Sequence, residues 1–354
     1  MIVIGADTHK RTHTIVALDG VTGRELGQLT FSSSKDATLE AVVWADRFEA
    51  DRVWAIEDVR HVSARLEREL IAHGEPVVRV PPRLMAGARP AGRQRGKSDP
   101  IDAAAVALAA IRAGIDTLPV ARLAGPEFDL RMLLDRREAL VAERTREINR
   151  LRWSLHDMHC PVEVPARGMD RLHWTVKLMR WTTRQTTIQG RIAHRTLLRI
   201  RELTREIDTY QQEINQLAQE QAGALIDSLP GCGALTAAKI VAETAGVDRF
   251  RSEACFARAT GTAPIPASSG RTDRHRLDRG GNRQLNVAIH RIALYQARAC
   301  PEAKAYLERK QAAGKTRREA IRCLKRHLAR RIYQLLKTLP SPSAHAPSTT
   351  LTLT

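Results

Sequence analysis

The chain has 354 residues, 43% of them hydrophobic, and a formal charge of +18. That length and apolar fraction exclude wholesale disorder and leave room for two or three domains with real cores. It carries no run of about eighteen apolar residues and no basic-then-apolar leader pattern, so the sequence predicts a cytoplasmic protein without a membrane partner.

The five cysteines stand singly, which gives neither a zinc spacing nor a disulfide framework. The positive excess points to a polyanion, and nucleic acid is the obvious one. It is also regional: Arg251 to Lys337 holds 21 Lys and Arg against six Asp and Glu.

In chain order, Met1 to Leu18 predicts a hairpin of two buried strands, because an apolar run is broken near Asp7 and then resumes. Leu26 to Phe31 predicts a third strand after the Asp19-Gly20 and Thr22-Gly23 turns. A short amphipathic helix is expected over Leu39–Phe48 and a buried strand over Arg52–Ile56, ending at Glu57-Asp58. Next come a helix over Ser63–His73, capped by Ser63, and a strand over Pro76–Val80. Strands followed by alternating helices indicate an α/β domain.

Arg95-Gly96-Lys97-Ser98-Asp99-Pro100-Ile101-Asp102-Ala103 then opens an alanine-rich helix that ends near Gly114. Asp99 and Asp102 are three residues apart and share a face. Helix capping accounts for both acids when they are taken alone: Asp99 as N-cap, Pro100 in the first turn and Asp102 in a capping box. Asp7 in a central strand and Glu57 at a strand end change the balance, since acids on buried strands are costly unless they bind something. Four carboxylates converging on one point suit a hard cation such as Mg²⁺, and a pair of such ions can clamp a phosphodiester.

Beyond Pro126 the pattern becomes long and helical. Leu134, Val141, Ile148 and Leu155 recur every seven residues, and Ile200, Leu203, Ile207, Tyr210, Ile214 and Leu217 alternate steps of three and four. This is a heptad signature, read equally well as an oligomer seam or as an internal helical hairpin. Leu229-Pro230-Gly231-Cys232-Gly233 resembles the turn of a helix-hairpin-helix module, in which backbone N–H groups meet a phosphate. A tight turn without a ligand is the alternative.

Ser268-Ser269-Gly270 lies among Arg271, Arg274, Arg276 and Arg279, a setting that suits a nucleophile aimed at phosphate as well as an ordinary loop. Gly280-Gly281-Asn282-Arg283 opens a further helix. Asn286–Gln296 and Lys304–Lys337 are expected to be helical and basic, and the tail from Pro340 disordered.

The ordered set Gly5-Ala6-Asp7-Thr8-His9-Lys10, Ile56-Glu57, Lys97 to Ala103, Leu229 to Gly233, and Ser268-Ser269-Gly270 with Arg279 to Arg283 resembles the DEDD transposases of the insertion-sequence one-ten family, whose relatives include Piv-type DNA invertases. The resemblance runs from Ile2 to about Lys337. It implies an α/β plus α chain: a RuvC-like (ribonuclease-H-like) catalytic domain over 1–125, a helical coiled-coil region over 126–222 and a mainly helical transposase domain over 223–338, followed by the tail 339–354.

By that resemblance Asp7, Glu57, Asp99 and Asp102 hold Mg²⁺, expected as two ions with Mn²⁺ as substitute, and Ser269 forms a covalent link to DNA. Asp58 and Ser268 are the rival metal ligand and rival nucleophile. The implied partners are donor and target double-stranded DNA, a structured guide RNA from the same element, and further copies of the chain in a dimer or tetramer. Nucleic-acid contacts are expected at Lys10, Gly231, Gly233, Arg271, Arg274, Arg276 and Arg283. The expected activity is therefore an RNA-guided transposase or recombinase working through phosphoserine. The competitors are a hydrolytic junction-resolving nuclease and a non-catalytic nucleic-acid-binding protein.

Overall fold

Strand β1 (Ile2–Thr8) is apolar on both sides because it is sandwiched, with helices covering each face of its sheet. The computed structural model describes residues 1–34, 37–48, 51–58, 60–85, 98–121, 126–267, 275–278 and 280–339. They form two compact units, one of Met1–Gly125 with Thr244–Thr354 and the other of Pro126–Glu243.

In the first unit β2 (Thr12–Asp19) and β3 (Glu25–Ser32) follow β1 as an antiparallel meander. Strands β4 (Arg52–Glu57) and β5 (Val77–Val80) then add in parallel on the other side of β1, giving the order β3-β2-β1-β4-β5. The alternation of side chains along a strand sorts the core into two layers. Ile2, Ile4, Ala6, Trp54 and Ile56 face α1 (Ala37–Ala45) and α2 (Arg60–Ala72), where Trp44, Leu66 and Leu70 meet them. Val3, Val53 and Ala55 face the other way, onto Ala103, Ala107 and Ala110 of α4 (Asp99–Ala113). Between these helices lies the single turn α3 (Pro82–Met85).

Two local expectations change. Helix α2 begins at Arg60, so Ser63 is a buried residue of its first turn rather than its cap. Helix α4 has Ser98 in the N-cap position with no side-chain cap hydrogen bond, and Pro100 within its first turn. Asp99 is therefore the first helical residue, not the cap, and both acids sit where the helix dipole favours negative charge. Arg95, Gly96 and Lys97 lie outside the described residues.

The second unit is built on two long helices, α5 (Pro126–Asp157) and α7 (Ile188–Ser228), with the shorter α6 (Leu172–Thr182) between them in sequence. Leu130 and Leu134 pack with Ile214 and Ala218, Leu140 with Leu203 and Ile207, and Leu151 and Leu155 with Ala193, Leu197 and Ile200. Ascending positions on one helix meet descending positions on the other, so the pair is antiparallel and internal. The heptad stripe is consumed within the chain, with Ile200, Leu203 and Ile214 fully buried. Arg199 Nη2 donates to Glu143 Oε1 at 2.7 Å across the same pair. Helix α7 is kinked at Ala222 and joins α8 (Ala234–Thr244) through Leu229–Gly233, where Gly231 takes φ +87°.

The C-terminal part of the first unit is mostly helical: α9 (Glu253–Ala259), α10 (Arg283–Ala299), α11 (Pro301–Ala312) and α12 (Arg317–Thr338), with a two-residue hairpin of β6 (Ile265–Pro266) and β7 (His275–Arg276). The stretch Lys304–Lys337, expected to be helical, falls in two helices. Gly314 at φ +83° breaks it, and Thr316 with Glu319 forms a capping box that starts α12. No described helix is long and apolar enough to cross a membrane. The tail expected to be disordered from Pro340 lies outside the described residues.

Candidate metal centre

The rows Val3–Gly5–Asp7 and Val53–Ala55–Glu57 lie on the α4 face of the sheet by strand alternation. Strand β1 pairs in parallel with β4 at Gly5↔Ala55 and Ala6↔Ile56, so Asp7 and Glu57 follow in adjacent rows at the strand ends. Helix α4 is brought down onto them at one glycine. A β-carbon built on Gly5 meets the Ala103 carbonyl oxygen at 2.1 Å and the Ala107 nitrogen at 2.6 Å. Alanine dominates α4 because only small side chains allow that approach. The approach leaves the first turn of the helix, with Asp99 and Asp102, over the end of β1.

Ligand atoms of Asp7, His9 and Asp99 all lie within 4.8 Å of one another. His9 Nε2 stands 3.1 Å from Asp7 Oδ2 and 3.6 Å from Asp99 Oδ1. Burial pushes the Asp7 carboxyl above its ordinary pKa; His9 opposes that, while the charges of Asp102 and Asp99 add to it. Burial raises Glu57 too, with the charges of Asp7 and Asp102 adding. Asp7 therefore feels the charges of Asp99 and Asp102, and Glu57 those of Asp7 and Asp102, although Glu57 and Asp102 are not in the tight group of ligand atoms. Asp58 is half-buried beside Glu57 and its backbone N–H donates to the Val80 carbonyl at 2.9 Å.

His9 was not among the expected ligands. The signal was in the sequence: Asp7-x-His9 at the end of a strand puts an imidazole two residues from a carboxylate, on the same face. Acidic oxygens with one imidazole nitrogen suit a hard divalent cation, with Mn²⁺ more tolerant of the nitrogen than Mg²⁺. That donor set, held in a cluster of mutually repelling carboxylates, fits the implied metal.

The other expected site residues are spread out. Lys10 is exposed in the β1–β2 turn, and its carbonyl accepts from Ser33 Oγ at 2.7 Å. Gly231 and Gly233 lie in the α7–α8 turn of the second unit, and a β-carbon on Gly233 would meet nothing within 4 Å. Arg276 is exposed on β7, and Arg283 is exposed at the start of α10, where the Asn282 side chain caps the helix by accepting from Gln284 and Leu285 N–H. Ser268, Ser269, Arg271 and Arg274 lie outside the described residues.

Two family models match this chain. A transposase model of the DEDD IS110 type covers residues 4–160, and a model described as transposase IS116/IS110/IS902 family covers 223–308. The 42 kDa protein of insertion element IS900 from Mycobacterium paratuberculosis is 26% identical over 98% of this chain and 97% of its own. The 44.8 kDa protein of insertion element IS116 from Streptomyces clavuligerus is 25% identical over 95% of this chain and 94% of its own. Among solved structures, Thermus thermophilus RuvC in complex with a Holliday junction substrate aligns at 16% identity with a TM-score of 0.28, covering 34% of this chain and 99% of RuvC. Both are models of insertion-sequence transposases and together they span more than half of the sequence, so the chain belongs to the IS116/IS110/IS902 family of insertion-sequence transposases.

Proposed function

We propose that this transposase-family chain cuts and rejoins double-stranded DNA, directed by a structured RNA from its own element, through a covalent phosphoserine at Ser269. Asp7, Glu57, Asp99 and Asp102 would hold Mg²⁺, with His9 as an added nitrogen ligand. The observation that carries the reading is the gathering of Asp7, His9 and Asp99 within ligand distance, while burial first and neighbouring carboxylates second raise Asp7 and Glu57. The strand order, with a meander running into parallel strands, supports a ribonuclease-H-like assignment for residues 1–125.

When bound, a divalent cation there polarises a phosphate and eases deprotonation of an attacking hydroxyl. The protein's own groups do the rest. His9 orients Asp7 through their 3.1 Å contact. The Ser269 oxygen forms a bond to phosphorus as the bond to one deoxyribose oxygen breaks; the serine proton leaves and the departing oxygen takes one up. The reverse attack by a strand hydroxyl rejoins DNA and frees the serine.

Arg271, Arg274, Arg276, Arg283 and Lys10 would neutralise phosphates, and the Gly231–Gly233 turn would offer backbone N–H groups to one, so affinity falls steeply with salt. Residues 126–222 serve as the helical spacer and 223–338 as the serine-bearing part. In a dimer or tetramer one copy's serine can complete another's acidic site.

The test incubates full-length protein with the element's flanking RNA, both DNA partners and Mg²⁺, and looks for a denaturation-resistant protein–DNA species. That adduct is expected to vanish in Ser269→Ala and in Asp7→Ala. Cleavage that survives Ser269→Ala would assign the chain to hydrolytic nucleases instead. Activity indifferent to Asp7→Ala and to metal would leave a binding protein only.

A further inference from the structure

Lys325, in the middle of α12, is 6% exposed. Its Nζ donates to Asn286 Oδ1 at 2.6 Å, and the Asn286 amide in turn donates to the Thr260 and Gly261 carbonyls at 2.8 and 3.0 Å. Among the described residues no carboxylate pairs with Lys325, and burial alone holds its ammonium down to about 8. A buried lysine without a counter-charge is costly unless a ligand supplies one. An ammonium has three donors, so two remain for that ligand.

Lys325 forms part of the wall of a cavity of about 570 Å³, a size that suits a small organic ligand. The same wall carries Arg322, Arg326 and Lys310. Arg326 Nη1 is buried without a hydrogen-bond partner among the described residues. Pro264, Leu277 and Tyr306 give the cavity an apolar side, and Leu277 is 44% exposed there. One buried acceptor also waits: Asp278 Oδ1 accepts from Gly280 N–H at 2.8 Å, while Oδ2 has no partner among the described residues. Buried donors of positive charge, an apolar side and one lone acceptor describe a ligand with a phosphate, a flat ring and an amino group.

We propose that this cavity is a subsite for one unstacked nucleotide of a nucleic-acid strand, its phosphate received by Lys325, Arg322 and Arg326 and its base lying against Pro264, Leu277 and Tyr306. Asp278 accepts from an exocyclic amine, so cytosine, adenine and guanine are favoured over thymine and uracil. The proposal rests on the reading of the chain as an enzyme acting on nucleic acid and names how one nucleotide is held away from its neighbours. Stacking on a side chain and a fixed phosphate are the usual means of holding a single-stranded base.

The test is equilibrium dialysis of full-length Ser269→Ala protein, without RNA or divalent metal, against deoxycytidine monophosphate, deoxycytidine, inorganic phosphate and thymidine monophosphate. Saturable binding of deoxycytidine monophosphate is expected, displaced by a short single strand but not by a blunt duplex. Lys325→Met and Arg322→Ala are each expected to weaken it about tenfold, the scale of one charge-assisted contact; Arg322→Ala keeps the test valid should Lys325→Met perturb folding.

Absence of saturable binding, equal binding of inorganic phosphate, displacement by duplex as readily as by single strand, or indifference to both variants overturns the proposal. Equal binding of thymidine monophosphate removes Asp278 from it. The serine mechanism is untouched by any of these results, because the adduct assay reads Ser269 and metal, and this one reads neither.

Discussion

The backbone of Gly5 lies directly beneath the carbonyl of Ala103, so that a single added carbon would sit 2.1 Å from that oxygen. This one contact sets the height of α4 above the sheet, and with it the distance from Asp99 to Asp7 and His9. Gly5→Ala is therefore expected to cost at least the roughly 1–3 kcal/mol of ordinary overpacking, because backbone rather than a side chain must give way. Denaturant midpoints measure the loss. The same variant should lose divalent-metal stabilisation, since the acids are carried away with the helix.

Metal binding to the folded chain alone should raise thermal stability, by about 2.7 kcal/mol at a hundredfold excess over Kd. Without metal, Asp7 and Glu57 crowd like charges, and a raised folded pKa means stability is lost as pH rises through it. Asp7→Asn is thus expected to be more stable than the parent in chelator at neutral pH, and to gain nothing from Mg²⁺. Paired thermal melts with and without metal check both signs; an Asp7→Asn protein still stabilised by Mg²⁺ would remove Asp7 from the site.

His9 contributes the one nitrogen of the cluster. His9→Ala is expected to reduce the advantage of Mn²⁺ over Mg²⁺ in both melting temperature and adduct yield, while His9→Asp, an all-oxygen set, should favour Mg²⁺. Titrating the two ions against each variant gives the ratio directly.

Lys325 gives a pH signature of the opposite sense. Its pKa is lowered from 10.5 to about 8, so between those values the unfolded chain binds the extra proton and stability rises with pH. His290, the ionisable neighbour that feels Lys325, is itself lowered by burial and is already neutral in that window. The melting temperature of the parent relative to Lys325→Met should therefore climb from pH 8 to pH 10.5, and a flat difference would show that the lysine is not buried when folded.

Much of the first unit was legible in the chain. Apolar runs at Ile2–Thr8, Thr12–Asp19, Arg52–Glu57 and Val77–Val80 are strands buried on both sides, and a run of that composition has few alternatives. The alanine run after Asp102 announced a helix, but only the sheet beneath it explains why the residues are alanine. Heptads gave the long helices and left open where their apolar stripe goes, because period alone does not name the partner. The β6–β7 hairpin escaped notice, since two residues per strand carry no period. Lys325 escaped too: in the run Leu324-Lys325-Arg326-His327 one cation looks like its neighbours, and only packing against α10 takes it from water.

The first unit is assembled from two stretches of sequence that the whole helical pair separates. Arg249 Nη1 reaches the Thr117 carbonyl at 3.2 Å and Arg251 pairs with Asp116, joining residues more than a hundred positions apart. A ribosome making this protein exposes the acidic residues early and the segment from Thr244 only after the helical pair. Any polypeptide released before that stretch emerges lacks nearly half of its own compact body, so premature termination leaves the acidic cluster without the remainder of its fold.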